Sequence, residues 1–123
     1  MAEKRILLLE DDAHLAGTLL FVLQGAGYIV DLALTVARAE RRLSDQRYGL
    51  VVADWRLPDG DGTVVADRAA ALGVKTAVLT GYVLQMPRER AERHEVWMKP
   101  MRPSELITAV ERCIGKRGLP ACQ

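Results

Sequence analysis

Short apolar segments alternate with segments of mixed polarity along the whole chain of 123 residues. Brief apolar runs are typical of strands that are buried on both faces of a parallel sheet. They predict five strands, over residues 5–9, 28–34, 49–54, 74–80 and 95–98. The alternation therefore indicates a chain built from repeated β/α units.

The segments between these strands have helical periodicity and helix-end signals. In the first, apolar residues recur at i, i+4, i+7 and i+8, at Leu15, Leu19, Val22 and Leu23. That helix is predicted to end at Gly25 or Gly27. The second is predicted to run from a Thr35 cap to about Gln46, and the third from Gly62 or Thr63 to Leu72, before Gly73. The fourth is predicted from about Pro87 to His94, and the fifth from Pro103 onward. Right-handed crossovers then predict an α/β fold, a doubly wound five-stranded parallel sheet with helices on both faces.

Length and composition limit the class of protein. The chain has room for one domain, which we expect over residues 1–118, with 119–123 as a short C-terminal tail. A net charge of +1 gives no sign of nucleic-acid binding, and no apolar stretch is long enough to span a membrane. Two cysteines and no signal peptide favour a reduced, cytoplasmic protein.

Chemically active side chains follow four of the five predicted strands. Glu10-Asp11-Asp12 follows the first, Asp54 ends the third, Thr80-Gly81 ends the fourth, and Lys99-Pro100 follows the fifth. A Pro- and Gly-rich turn comes directly after Asp54. Because open parallel sheets bind their ligands at the carboxyl ends of the strands, these groups are predicted to form one site.

The residue types indicate phosphoryl chemistry with a divalent cation. If the first and third strands are neighbours, Glu10, Asp11 and Asp54 bring three carboxylates together, and Mg²⁺ relieves their repulsion. Lys99 and Thr80 would add a positive charge and a hydroxyl donor to a phosphoryl group on Asp54.

Four motifs in this order resemble the receiver domain of two-component response regulators, which has a flavodoxin-like fold. They are Leu9-Glu10-Asp11-Asp12, the segment from Asp54 to Gly62, Leu79-Thr80-Gly81 and Lys99-Pro100. The resemblance implies that Asp54 is the phosphoacceptor and that Thr80 and Lys99 contact the phosphoryl group. It also implies Mg²⁺ ligands at Glu10, Asp11, Asp54 and the main-chain carbonyl of Arg56, which leaves Asp12 peripheral or helix-capping.

The function implied by the resemblance is that of a phosphorylation-controlled switch. A histidine kinase or histidine phosphotransfer protein would supply the phosphoryl group, and the domain would catalyse its own phosphorylation and dephosphorylation without being an enzyme in the usual sense. Because the chain ends at Gln123, a stand-alone receiver is expected, with an unknown downstream protein target and neither nucleic acid nor membrane as a partner.

Two features depart from the family pattern and concern how the signal is read. The position of the usual switch aromatic, three residues before Lys99, is Val96, and Tyr82 or Trp97 is a candidate substitute. The segment from Gly81 to Glu95 is shorter than usual and polar. The loop after Thr80 is therefore predicted to carry the response.

Three alternative functions remain beside that of a phosphorylated receiver. A degenerate receiver would bind a partner without being phosphorylated. An aspartate-nucleophile phosphatase would need a second acid where Arg56 stands, and a flavodoxin-like cofactor binder would need a phosphate-binding loop where the acids follow the first strand. Among single residues, Trp97 and Cys113 are predicted to pack in the core, and His14 and His94 to lie on helix surfaces.

Overall fold

A five-stranded parallel sheet forms the centre of the molecule. The computed structural model describes residues 4–81 and 86–115. The sheet strands are β1 (Arg5–Leu9), β2 (Ile29–Ala33), β3 (Leu50–Asp54), β6 (Lys75–Thr80) and β7 (Glu95–Met98), and a small hairpin is formed by β4 (Arg56–Leu57) and β5 (Gly60–Asp61). The helices are α1 (Ala13–Gly25), α2 (Val36–Asp45), α3 (Gly62–Ala71), α4 (Arg88–Ala91) and α5 (Pro103–Ile114). The predicted α/β fold is confirmed.

Strand order in the sheet is β2-β1-β3-β6-β7, with all neighbours parallel. The order reverses between β1 and β3, and open α/β sheets bind their ligands in the crevice at such a switch point. Pairing of Leu9 with Ala53 brings Glu10 and Asp54, the next residues along the two strands, to the same edge of the sheet. The first and third strands are therefore neighbours, which is the condition on which the predicted convergence of the three carboxylates depended.

Alternating strand residues face two separate cores. Ile6 and Leu8 belong to a core with residues of α1 and α5, whereas Leu7 and Leu9 belong to a core with residues of α2 and α3. A strand with apolar residues at every position is buried on both faces. Continuous apolar runs in the sequence thus specify a sheet that is covered on both sides.

Helix ends follow the predicted signals in most places. Asp12 caps α1 by accepting hydrogen bonds from two amides, Thr35 caps α2, and Gly73 follows the α3 C-cap with a positive φ of 82°. Helix α4 is shorter than predicted, with only four residues. The β4–β5 hairpin was not predicted, and it shapes the loop directly after Asp54.

Candidate functional site

Three carboxylates meet at the carboxyl edge of β1 and β3. One oxygen each from Glu10, Asp11 and Asp54 lies within 4.8 Å of the others. Glu10 is only 1% exposed and Asp54 8% exposed, whereas Asp11 is open to solvent. Among the described residues, no other group of three or more potential metal ligands is this close together.

Lys99 provides the positive charge of this site. Its Nζ lies 2.9 Å from Asp54 Oδ1 and 3.0 Å from Glu10 Oε1, so that one ammonium group bridges two acids. The Lys99 amide donates to the Thr80 carbonyl at 2.9 Å, and the next peptide bond, to Pro100, is cis. The lysine is thus held at the end of β7 opposite the acid pair.

Burial and pairing change the pKa values of this cluster. Burial raises the pKa of Glu10, and hydrogen bonds from Lys99 and from the Asp12 amide oppose this rise only in part. Burial also acts to lower the pKa of Lys99, but hydrogen bonds to Asp54 and Glu10 outweigh it and raise the pKa of the ammonium group. The raised pKa favours the charged form of Lys99 beside Asp54.

The residue set fits a hard divalent cation. Mg²⁺ prefers carboxylate oxygens and keeps several waters, and this edge of the sheet offers three carboxylates, one of which is exposed. Glu10, Asp11 and Asp54 are the residues that would hold it. When bound, the cation would supply charge neutralisation beside Asp54.

An open cleft lies above Asp54. It is lined by Asp54, Trp55, Arg56, Thr80, Gly81 and Lys99. Thr80 ends β6 and is 1% exposed, and Arg56 begins β4. The structure thus brings both residues to the predicted site, whereas the roles of the Thr80 hydroxyl and the Arg56 carbonyl stay predictions.

The loop after Asp54 is fastened at several points. Gly62 donates its amide to the Trp55 carbonyl at 2.8 Å, and a β-carbon at Gly62 would lie 1.8 Å from the Asp54 carbonyl oxygen. Asp59 accepts hydrogen bonds from two amides at the start of α2. The loop that directly follows Asp54 is therefore fixed to both α2 and α3.

Several polar contacts around the site were not predicted. Asp61 caps α3, and its other carboxylate oxygen accepts a hydrogen bond from Arg90 in α4. His94 contacts Asp67 at 2.7 Å and Thr76 at 2.5 Å. The Asp-Gly-Thr sequence at residues 61–63 is a capping signal that could have identified Asp61, but the contacts between elements have no local signature.

The structure shows where the histidines, Trp97 and Cys113 lie. The prediction that His94 lies on a helix surface is wrong, because its side chain is fully buried in the turn before β7, where two polar partners compensate for its burial. Trp97 and Cys113 are buried in the core with α5, as predicted, and His14 is exposed. Tyr82 and the tail at 119–123 lie outside the described residues.

Comparison with known proteins agrees with the fold. Residues 6–111 match the family model of the response regulator receiver domain. The chain is 33% identical to the response regulator receiver protein CpdR of Brucella abortus, over 90% of this chain and 97% of that protein. It is also 33% identical to the swarming motility regulation protein RssB of Serratia marcescens, but it spans only 51% of that protein.

A solved structure supports the same assignment. The response regulator protein TrrA of Thermotoga maritima, in complex with Mg²⁺ and beryllofluoride, superposes with a TM-score of 0.82 at 26% identity, over 89% of this chain and 98% of that one. The doubly wound sheet and these matches define the class of the protein as a signalling receiver. The chain belongs to the response regulator receiver domain family of two-component signalling. In the part of the chain that is described, no helix is both long and apolar enough to cross a membrane.

Proposed function

We propose that this receiver accepts a phosphoryl group on Asp54. The observation that carries the proposal is the position of the Lys99 ammonium group, 2.9 Å from Asp54 Oδ1 and 3.0 Å from Glu10 Oε1, beside a cluster of three carboxylates. Among the described residues, Asp54 is the carboxylate that combines the acid cluster, the lysine and the open cleft. These are the groups that a transferred phosphoryl group needs around it.

The donor is a phosphohistidine on a histidine kinase or a histidine phosphotransfer protein. A carboxylate oxygen of Asp54 attacks the phosphorus, a new O–P bond forms, the N–P bond breaks, and the imidazole leaves. Lys99 stabilises negative charge on the transferred oxygens, and the Thr80 hydroxyl, at the end of the adjacent strand, donates to one of them. Water later hydrolyses the acyl phosphate, which returns the carboxylate and completes the cycle.

Glu10 and Asp11 would hold Mg²⁺ together with Asp54 and the Arg56 carbonyl. The affinity of the resting protein for Mg²⁺ should be weak, on the order of 10⁻⁴–10⁻³ M, because most of the ligands would be waters. The domain catalyses its own phosphorylation and dephosphorylation, and we class it as a signalling switch rather than an enzyme. Its output is a change in protein contacts with a downstream target.

Intact mass measurement tests this function. The protein is incubated with Mg²⁺ and acetyl phosphate, and the expected adduct is one phosphoryl group on wild type and none on Asp54→Ala. Asp59→Ala is the matched control and should still form the adduct, because Asp59 is an exposed aspartate of the loop after Asp54 and accepts hydrogen bonds from the first two amides of α2. Asp11→Ala should lose Mg²⁺ binding, which titration of tryptophan fluorescence would report through Trp55.

The alternative, a degenerate receiver that binds its partner without phosphorylation, predicts a different result. It gives no mass increase on wild type at any Mg²⁺ concentration. A stable adduct on Asp54→Ala would show instead that another residue is the phosphoacceptor.

A further inference from the structure

Trp55 follows the proposed phosphoacceptor, and its main chain is fixed on two sides. Its amide donates to the Leu79 carbonyl at 3.0 Å, and its carbonyl accepts from the Gly62 amide at 2.8 Å. Any movement of the Asp54 loop is therefore also a movement of the Trp55 main chain, next to β6 and the start of α3.

The indole of Trp55 is buried on the face of the sheet that carries α3 and α4. It is 7% exposed and forms a small cluster with Ala66 of α3, Val78 of β6 and Met86, against which Val96 of β7 packs. It is the largest side chain in this cluster, and the Arg56 guanidinium carbon lies 4.6 Å from the centroid of its ring. The indole thus joins the loop of Asp54 to the residues that flank α4.

Helix α4 has few other attachments among the described residues. It has four residues, no side-chain hydrogen bond at its N-cap Pro87, and exposed side chains at residues 88–90. Its polar ties include Arg90 with Asp61, and the turn that follows it is tied through His94 to Asp67 and Thr76. Met86, which is buried in the Trp55 cluster, is the apolar residue that anchors the start of this segment.

We propose that the Trp55 indole couples phosphorylation of Asp54 to the segment 86–96, which contains α4. The inference rests on the function proposed above. Closely packed groups cannot move independently, so a shift of the Trp55 main chain displaces its ring and then its neighbours. Met86 is flexible and follows the ring, and the weakly attached α4 takes up the change. Val96 supplies no ring of its own, so Trp55 provides the aromatic group of this cluster.

Hydrogen exchange with and without Mg²⁺ and beryllofluoride tests the coupling. Wild type is compared with Trp55→Leu and with Trp97→Leu, which replaces a tryptophan that is buried on the opposite face of the sheet. Beryllofluoride should change exchange in residues 86–96 of wild type and Trp97→Leu. In Trp55→Leu this change should fall by about threefold or more, since the contacts that move α4 are missing.

Two further measurements make the result decisive. Adduct formation with acetyl phosphate is measured on the same preparations, and it should be unchanged in Met86→Ala, because Met86 does not line the cleft above Asp54. Met86→Ala removes the far end of the cluster without touching the site, and it should lose the response as well. If Trp55→Leu does not fold, Trp55→Phe and Met86→Ala decide the question, with Trp55→Phe retaining a reduced response.

A full response of residues 86–96 in Trp55→Leu or Met86→Ala would overturn the coupling. If wild type forms no adduct, the phosphoacceptor function fails and this inference fails with it. The two failures are distinguishable by the mass of the wild-type protein. Failure of the coupling alone leaves its phosphoryl mass increase intact, whereas failure of the phosphoacceptor function abolishes it.

Discussion

The acid and lysine centre differs from the neighbouring region between α3 and α4 in how its parts are held. Glu10, Asp54 and Lys99 follow or end strands of one sheet, so backbone pairing fixes their positions, and the two acids are almost fully buried. By contrast, α4 and the turn that follows it are tied to α3 and its N-cap by partly exposed side chains, such as Arg90 to Asp61 and Arg93 to Asp67. Exposed ion pairs contribute about 0–1 kcal/mol each.

This difference in attachment separates the residues proposed for phosphoryl transfer from the helix proposed to respond to it. Phosphoryl transfer requires groups that keep their geometry, whereas a switch requires an element that can change position at low cost in free energy. In the proposed function, the strand ends supply the first and the four-residue helix α4 supplies the second. Substitutions should therefore affect activity in one region and local stability in the other.

The largest effect is expected at Lys99. Lys99→Ala removes the positive charge shared by Glu10 and Asp54, and the rate of adduct formation should fall about 100-fold, because one preorganised charge contact in an active site contributes this much. A time course of intact mass with acetyl phosphate measures it. Lys75→Ala, at an exposed lysine that begins β6, is the control. A wild-type rate in Lys99→Ala would contradict the assignment of Lys99.

Gly62 tests how rigidly the chemical centre is held. Gly62→Ala places a β-carbon against the Asp54 carbonyl, so the free energy of unfolding should fall by about 1–3 kcal/mol, the cost of overpacking a close contact. Gly17→Ala is the matched control, because nothing lies within 4 Å of its β-carbon in α1, and it should raise stability by about 0.5–1 kcal/mol. Urea unfolding measures both. Equal effects of the two substitutions would disprove the close approach.

His94 tests the region between α3 and α4, and His14 in α1 serves as the control. His94→Ala removes a buried side chain with two polar partners, and stability should fall by about 1–3 kcal/mol, with faster hydrogen exchange in residues 86–96. His14→Ala changes an exposed residue of α1 and should alter stability by less than about 0.5 kcal/mol. If His94→Ala leaves exchange in that segment unchanged, the His94 contacts do not hold α4.

The smallest effect concerns stability at low pH. It involves the contacts of Asp31 with Tyr48 and Arg5, which lie outside both regions. Burial acts to raise the pKa of Asp31, but the Tyr48 hydroxyl and Arg5 outweigh it and hold the pKa below the usual value for an aspartate. Because the folded pKa lies below the unfolded one, this stabilisation is present above about pH 4 and is lost as the pH falls through the folded value. The stability difference between wild type and Asp31→Asn should therefore shrink below about pH 4 in urea titrations.

A conservative variant separates the contribution of the Asp31–Tyr48 hydrogen bond from general unfolding at low pH. Tyr48→Phe removes one of the hydrogen bonds to Asp31 and should give an acid dependence between those of wild type and Asp31→Asn. An acid dependence that is identical in all three proteins would contradict the role of Asp31.

Local patterns in the sequence were sufficient for the fold class and for the residues of the acid and lysine centre. Continuous apolar runs specify strands buried on both faces. Glu10, Asp11, Asp54 and Lys99 follow or end such strands, so they were predicted to converge if β1 and β3 are neighbours, and the pairing of these strands confirms it. Capping by Thr35 and the position of Gly73 depend on neighbouring residues alone, and both were predicted.

The tertiary structure alone decided the surroundings of that centre. Arg90 and Asp61 are 29 residues apart, and His94 and Asp67 are 27 apart, so these pairs depend on how α4 docks against α3. The burial of Trp55 and His94 has the same origin. Periodicity records which side of an element is apolar, whereas the partner that covers a polar or aromatic side chain depends on packing between elements that are distant in the chain.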